Sequence, residues 1–204
     1  MAEMSIPTTS SEQQDCGTPH APAQQETLLL DRVAAEDVAA FEILYRAYHP
    51  RLTRFLRGML RQAALVEEVL DDTMLVAWRK ANTFNATSKV STWLFAIAYR
   101  QALKALRNAD RALPLDDEDA IASPLSGPEV VLQQQHLHAR VGDALEALSP
   151  MHRGVIELAY YNGHSCREIA GIMACPVATV KTRMFHARRK LRELLAGAIE
   201  EQAR

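Results

Sequence analysis

The fold is decided between residues 163 and 195, which read GHSCREIAGIMACPVATVKTRMFHARRKLRELL. Ser165 followed three residues later by Glu168 is a capping box: each side chain can satisfy an orphan backbone N–H of the other, so a helix starts there. Ile169, Ala170, Ile172 and Met173 give that helix a short apolar face. Ala174, Cys175 and Pro176 end it, and Pro176 suits the first turn of a second helix, where its missing N–H leaves no partner unmet. In the second helix Val177, Val180, Met184, Ala187, Leu191, Leu194 and Leu195 recur along one stripe. Lys181, Thr182, Phe185, His186 and Arg189 take the opposite face, flanked by Arg183, Arg188, Lys190 and Arg192. Seven basic against two acidic residues between Ser165 and Leu195 leave a net charge of +5. A short capped helix, a tight turn and a longer helix with one packing face and one cationic face fit a helix-turn-helix docking in a DNA major groove. The plainer alternative is an amphipathic helix with a solvated basic face.

Working outward, charge is distributed in blocks. The chain has 204 residues and a formal net charge of −2, but residues 1–40 carry −6, 41–109 carry +6, 110–135 carry −5, 136–164 carry −1 and 165–204 carry +4. Two basic blocks on either side of an acidic connector point to two nucleic-acid contacts. Residues 1–24 are rich in Ser, Thr, Gln and Pro with few apolar residues, and are expected to be a disordered tail.

A helical pattern begins at Glu26, with Leu28, Leu29, Leu30, Ala34, Val38, Phe41, Leu44, Tyr45 and Tyr48 as its apolar positions and a break or kink expected at Pro50. Leu52, Phe55, Leu56, Met59 and Leu60 continue the stripe. Leu65 to Lys80 reads as the next helix, with Glu67, Glu68, Asp71 and Asp72 in its first half. Asp71 and Asp72 lie too deep for the helix dipole to account for them; they are either solvated or a patch for a basic partner. The polar run TFNATSKVS (83–91) is a loop, and a helix from about Thr92 to Asn108 follows. In it Trp93, Phe95 and Tyr99 interleave with basic residues, an arrangement that serves either base stacking or an ordinary core.

The segment 110–129, with its run LDDEDA and three prolines, is an extended acidic linker. Helical periodicity resumes at Val130, stops at Ser149-Pro150, and resumes again from His152 to Tyr161 with Asn162-Gly163 as a stop. No strand pattern stands out. The expected fold is all-α, with two small helical bundles, 25–109 and 130–197, joined by a flexible linker.

Cys16, Cys166 and Cys175 fit no zinc spacing, and Cys166 and Cys175 read as small packing residues. His136 and His138, two apart on a helix, do not share a face. Neither a metal nor a cofactor is expected. No apolar run is long enough to cross a membrane and no secretory leader stands out, so a cytoplasmic protein is expected. A Gly-rich phosphate loop, a nucleophile elbow and a metal cluster are all missing from the sequence, which argues against an enzyme.

Taken together these stretches resemble the sigma-70 family of RNA polymerase sigma factors, in particular its extracytoplasmic function (ECF) group. AFEILYRAYHPRLTRFLRGML (40–60) resembles conserved region 2.1, EEVLDDTMLVAWRKANTF (67–84) region 2.2, and STWLFAIAYRQALKALR (91–107) regions 2.3 and 2.4. ALEALSPMHRGVIELAYYNGHSCREIAGIMACPVATVKTRMFHARRKLRELL (144–195) resembles region 4. All four in order, across an acidic linker, are far more specific than any one of them.

The resemblance implies partners and roles: core RNA polymerase, through the β′ clamp helices and the β flap; promoter DNA; and an anti-sigma factor. It implies that Glu68, Asp71, Asp72 and Trp78 form the polymerase-docking surface. It implies that Phe84, Lys89, Thr92, Trp93 and Arg100 recognise and melt the −10 element, and that Lys181, Thr182, Arg183, Phe185, His186, Arg188 and Arg189 read the −35 duplex. The linker would thread towards the polymerase active-site and RNA-exit channels. Three positions depart from the family pattern: Arg100 where Asn is frequent, Ala174 where Gly is usual, and Lys89 where a small residue is frequent. The rival reading is a stand-alone LuxR-type helix-turn-helix regulator. It would need a ligand or receiver domain in the first half, where no βα alternation is found.

Overall fold

The computed structural model describes residues 20–109 and 140–202, and no strand occurs among them. The first bundle consists of α1 (His20–Ala34), α2 (Val38–Met59), α3 (Ala63–Lys80), a 3-10 turn (Ala81–Thr83) and α4 (Val90–Ala109). The second contains the helix 140–146 (α5), then α6 (Pro150–Ile156), a π-helical turn (Glu157–Tyr161), α7 (Cys166–Ile172) and α8 (Val177–Gln202). The expected tail beyond its last five residues, the linker 110–129, the helix start at Val130 and both His136 and His138 lie outside the described residues. Helix α1 begins at His20, earlier than the expected start at Glu26.

The periodicity predicts one helix through Tyr48 and a break or kink at Pro50; in the structure the helix ends earlier and the next one runs on past Pro50. The break falls at Ala35–Asp37, where Glu36 adopts φ 63°. Asp37 caps α2, its Oδ1 accepting from the Ala40 N–H at 3.0 Å while Oδ2 takes Arg32 Nη2 at 2.6 Å. Pro50 sits inside α2, which continues to Met59. Proline in a helix costs about 3 kcal/mol. Leu44, Tyr48, Leu52, Phe55 and Leu56, on both sides of it, are each at most 1% exposed, and burying one such side chain returns about 1.5–3 kcal/mol. The stripe therefore overrides the proline.

Leu28 and Val177, read as members of apolar stripes, are 64% and 38% exposed. The larger difference concerns the bundles themselves. Leu94, Phe95 and Ala98 of α4 belong to the same continuous core as Leu158, Ile169 and Val180. Helix α4 packs on α7 and α2 packs on α6, so the two bundles meet along a seam that periodicity gave no reason to expect.

Candidate nucleic-acid interface

The α7–α8 unit forms as its local chemistry dictates. Glu168 Oε2 accepts from the Ser165 N–H at 2.7 Å, and Ser165 Oγ accepts from the Glu168 N–H at 3.3 Å. Ile169, Ala170, Ile172 and Met173 are buried. Ala174 takes φ 48° in the turn, the left-handed conformation for which glycine is the usual choice. Pro176 sits one residue before α8, and its carbonyl accepts from the Val180 N–H at 3.2 Å. Val180, Met184 and Ala187 anchor α8 in the core.

That anchoring turns Lys181, Thr182, Phe185, His186, Arg188 and Arg189 outward. Phe185 is 62% exposed, a large apolar ring held on a cationic surface. Thr182 Oγ1 donates to the Ala178 carbonyl at 3.0 Å, Arg188 lies 5.4 Å over the Tyr160 ring, and Arg189 faces Glu193 at 3.7 Å. Arg183 differs from the rest: it is half-buried and turned inward, with Nη1 3.9 Å from Cys175 Sγ. His152 lies near His186, the rings tilted with centroids 6.3 Å apart. Burial, then the proximity of His186 and Arg183, lowers its pKa.

In the first bundle Phe84 and Trp93 meet edge-on, 5.7 Å between centroids, and both are half-buried. The loop carrying Phe84 is shaped by Asn85, whose Oδ1 accepts from Thr87 N at 3.2 Å and Thr87 Oγ1 at 2.7 Å. Trp93 and Arg100 are seven residues apart on α4 and so share a face. Thr92 is buried, and Lys89 is drawn away from them into an ion pair with Glu168 at 2.9 Å. Phe95 and Tyr99 are buried; of the two readings left open for these aromatics, theirs is the core. Phe84 and Trp93 keep only part of their surface in solvent.

On α3, Glu68, Asp71 and Asp72 are exposed along one face together with Leu75, and Ile43 of α2 is exposed as well. Trp78 is half-buried and packs edge-on against Phe41 at 5.1 Å. Leu75 and Ile43 were not singled out from sequence, because periodicity assigns an apolar residue to the core unless its exact angular position is known. A further feature is an open apolar groove of about 740 Å³ in the second bundle. It is lined by Leu145, Ile156, Tyr160, Leu191 and Leu195, with Arg188 and Arg192 beside them.

Among the described residues no group of three or more His, Cys, Asp or Glu side chains converges as metal ligands would. Cys166 and Cys175 are unbonded and pack half-buried against the core. No helix among the described residues is long and apolar enough to cross a membrane.

Residues 44–112 match the Sigma-70 region 2 family and residues 138–191 match the Sigma-70, region 4 family. The chain is 32% identical over 160 residues to the ECF RNA polymerase sigma factor RpoE of Cereibacter sphaeroides, covering 77% of this chain and 87% of that one. It is 27% identical over 188 residues to the RNA polymerase sigma-H factor of Pseudomonas aeruginosa, covering 87% and 97%. Among solved structures, it is similar to the sigma factor RpoE bound to the anti-sigma factor NepR from Bartonella quintana. That likeness has a TM-score of 0.60 at 28% identity and covers 76% of this chain and 96% of that one.

Proposed function

The chain belongs to the ECF group of sigma-70 family RNA polymerase sigma factors, and we propose the following division of labour among its residues. As a sigma factor it directs core polymerase to promoters, and makes or breaks no covalent bond itself. Its place of work is the cytoplasm, with the polymerase. The exposed face of α8 reads the −35 duplex: Thr182, Phe185 and His186 reach base edges, while Lys181, Arg188 and Arg189 hold phosphates and set register, and Arg183, turned inward beside Cys175, steadies the helix. Phe84 and Trp93 are the stacking platform for a base displaced from the −10 element, with Lys89 and Arg100 on the strand backbone. Thr92, buried beneath them, supports this platform rather than touching DNA.

The α3 face of Glu68, Asp71 and Asp72 docks on the polymerase clamp, and Leu75 and Ile43 supply its apolar contacts. Trp78 fixes the orientation of this face from behind. The apolar groove between α5, α6 and α8 receives the flap of the β subunit. An anti-sigma factor is the expected antagonist, as in the relative crystallised with NepR. The boundaries that go with this reading are a first domain from the start of α1 to 109, a linker over 110–129 and a second domain over 130–197.

The observation that carries the reading is the exposed Phe185 on a cationic helix face, beside a separate, partly exposed Phe84–Trp93 pair. These suit a duplex and a single strand respectively. A LuxR-type stand-alone regulator is not favoured, because the region 2 match occupies the half of the chain where such a protein would carry its ligand or receiver domain. Run-off transcription with purified core polymerase on genomic promoter fragments tests the assignment. Discrete transcripts should arise with this chain and be lost with Asp71→Lys, Asp72→Lys. Transcripts undiminished by that double substitution would refute the α3 assignment. Duplex binding with no core-dependent transcript would restore the stand-alone regulator.

A further inference from the structure

Pro150 begins α6 directly after Ser149, the N-cap residue. The Ser149 hydroxyl caps no backbone N–H of the helix. It lies instead 2.9 Å from Nδ1 of His152, three residues on. That is the position where a capping box carries Glu or Gln, whose side chain reaches back to the N-cap N–H. Here an imidazole takes the hydroxyl, and one of its ring nitrogens is tied down by it.

The anchored ring lies beside the reading face of α8. Helix α6 packs on α8, and Val155, Ile156, Met184 and Ala187 are buried in their common core. His152 is half-buried and His186 is exposed. His186 has two rings as neighbours: Phe185 edge-on at 5.5 Å and His152 tilted by 55° at 6.3 Å. An exposed side chain gives up rotamer freedom when it docks on a partner. A half-buried, hydrogen-bonded ring alongside removes part of that freedom before the DNA arrives.

Charge at the site agrees. Burial, then His186 and Arg183, both of α8, hold the His152 pKa below the ordinary histidine value of 6.5. At neutral pH His152 is therefore an uncharged ring, with no pull on phosphate of the kind that Lys181, Arg188 and Arg189 exert.

We infer, on the assignment of the α8 face above, that His152, anchored by Ser149, is a positioning residue for −35 recognition. It holds the His186 imidazole in the rotamer that reads one base pair, and does not itself touch DNA.

The test uses holoenzyme reconstituted from purified core polymerase and the full-length chain. Binding is measured on a promoter found by run-off transcription and on a panel in which each −35 base pair is changed in turn. His186→Ala identifies its base pair as the position where discrimination falls. His152→Gln keeps a residue able to complete the α6 cap and removes the ring. It should lose about 2- to 10-fold of discrimination at that same base pair, the cost of ordering one side chain on binding. Preferences at the other positions and the salt slope should stay as in the wild type. Ser149→Ala frees the ring without removing it, and should show a smaller loss at the same position. The double variant His152→Gln, His186→Ala should discriminate no worse than His186→Ala alone.

A wild-type profile in His152→Gln overturns the inference. So does a loss spread evenly over all positions, which marks support of the whole helix, or a shallower salt slope, which marks a lost phosphate contact. Additive losses in the double variant overturn it as well. If Phe185→Ala alters a base-pair preference and His186→Ala alters none, the α8 face still reads the duplex and only the role of His152 falls. If the wild-type holoenzyme shows no −35 preference at all, the assignment of the α8 face falls with it. Should His152→Gln not fold, Ser149→Ala carries the same comparison, since its hydroxyl caps no backbone N–H.

Discussion

Lys89 Nζ lies 2.9 Å from Glu168 Oε1, while the other oxygen of the same carboxylate caps α7 through the Ser165 N–H. One side chain thereby serves the start of the helix-turn-helix and the seam to the first bundle. Burial alone would raise the Glu168 pKa, but the Ser165 N–H, the Lys89 ammonium and the Ser165 hydroxyl hold it down at about 2. A carboxylate with a depressed native pKa stabilises the fold above its unfolded value of 4.5, and the contribution fades as pH falls from there towards about 2. Glu168→Gln keeps a capping acceptor and should flatten this acid limb in urea unfolding. Ser165→Ala should cost about 1 kcal/mol at neutral pH and leave the limb in place. An unchanged acid limb in Glu168→Gln would refute the assignment.

His164 should make the folded chain sensitive to mild acid. Its ring is 6% exposed and edge-on to Phe95. Burial, opposed by Glu168 and reinforced by Arg51 and Lys89, lowers its pKa to about 4. These neighbours come from α2, from the loop before α4 and from α7. The folded form binds fewer protons than the unfolded chain between the ordinary histidine value of 6.5 and about 4, so stability is full above that window and declines as pH falls through it. The urea midpoint should drop between pH 6.5 and 5 in the wild-type chain and be flatter in His164→Gln. Parallel pH profiles in the two would sink the idea.

Ala174, at φ 48°, carries strain that glycine would not. Ala174→Gly should stabilise the chain by up to about 1 kcal/mol, the left-handed penalty exceeding the backbone entropy that glycine loses on folding. A higher denaturant midpoint at unchanged slope is the expected result. A lower midpoint would mean that the alanine methyl supplies packing not apparent from the turn.

Phe185 contributes little to the core, at 62% exposure. Phe185→Ala should leave thermal unfolding nearly unchanged and weaken −35 duplex binding about 5- to 150-fold, the range of a good base-edge contact of about 1–3 kcal/mol. Arg188→Ala, in contrast, should weaken binding to all sequences alike and reduce the salt slope by about one counterion. Equal losses on specific and random duplex for Phe185→Ala would move it from base edge to backbone.

Much of this was legible without coordinates. The α7 capping box, the glycine-like turn at Ala174 and the sorting of α8 into two faces depend on residues within about four positions of each other. Short-range hydrogen bonding and side-chain periodicity dictate them. The acidic face of α3 was legible for the same reason. The break at Glu36 was not, because Asp37 can cap α2 only where the chain reverses, and a stripe of Leu and Ala reads continuously across it. Pro50 misled because its local cost is set against burial by residues of other helices.

The division between chain and fold follows from the range of the forces. Spacing of charge and apolar residues was sufficient for an all-α protein with two basic units, and the resemblance of four consecutive stretches to conserved regions pointed to the family. Tertiary structure alone decided that Arg54 meets Glu157 and Tyr161, more than a hundred residues further along the sequence, and that Lys89 answers Glu168. It also decided that Thr92, Phe95 and Tyr99 are covered while Phe84 and Trp93 remain partly exposed. An ion pair between distant residues leaves no periodic trace, because either charge alone reads as a solvated surface residue until the packing of the other helices brings its partner within reach.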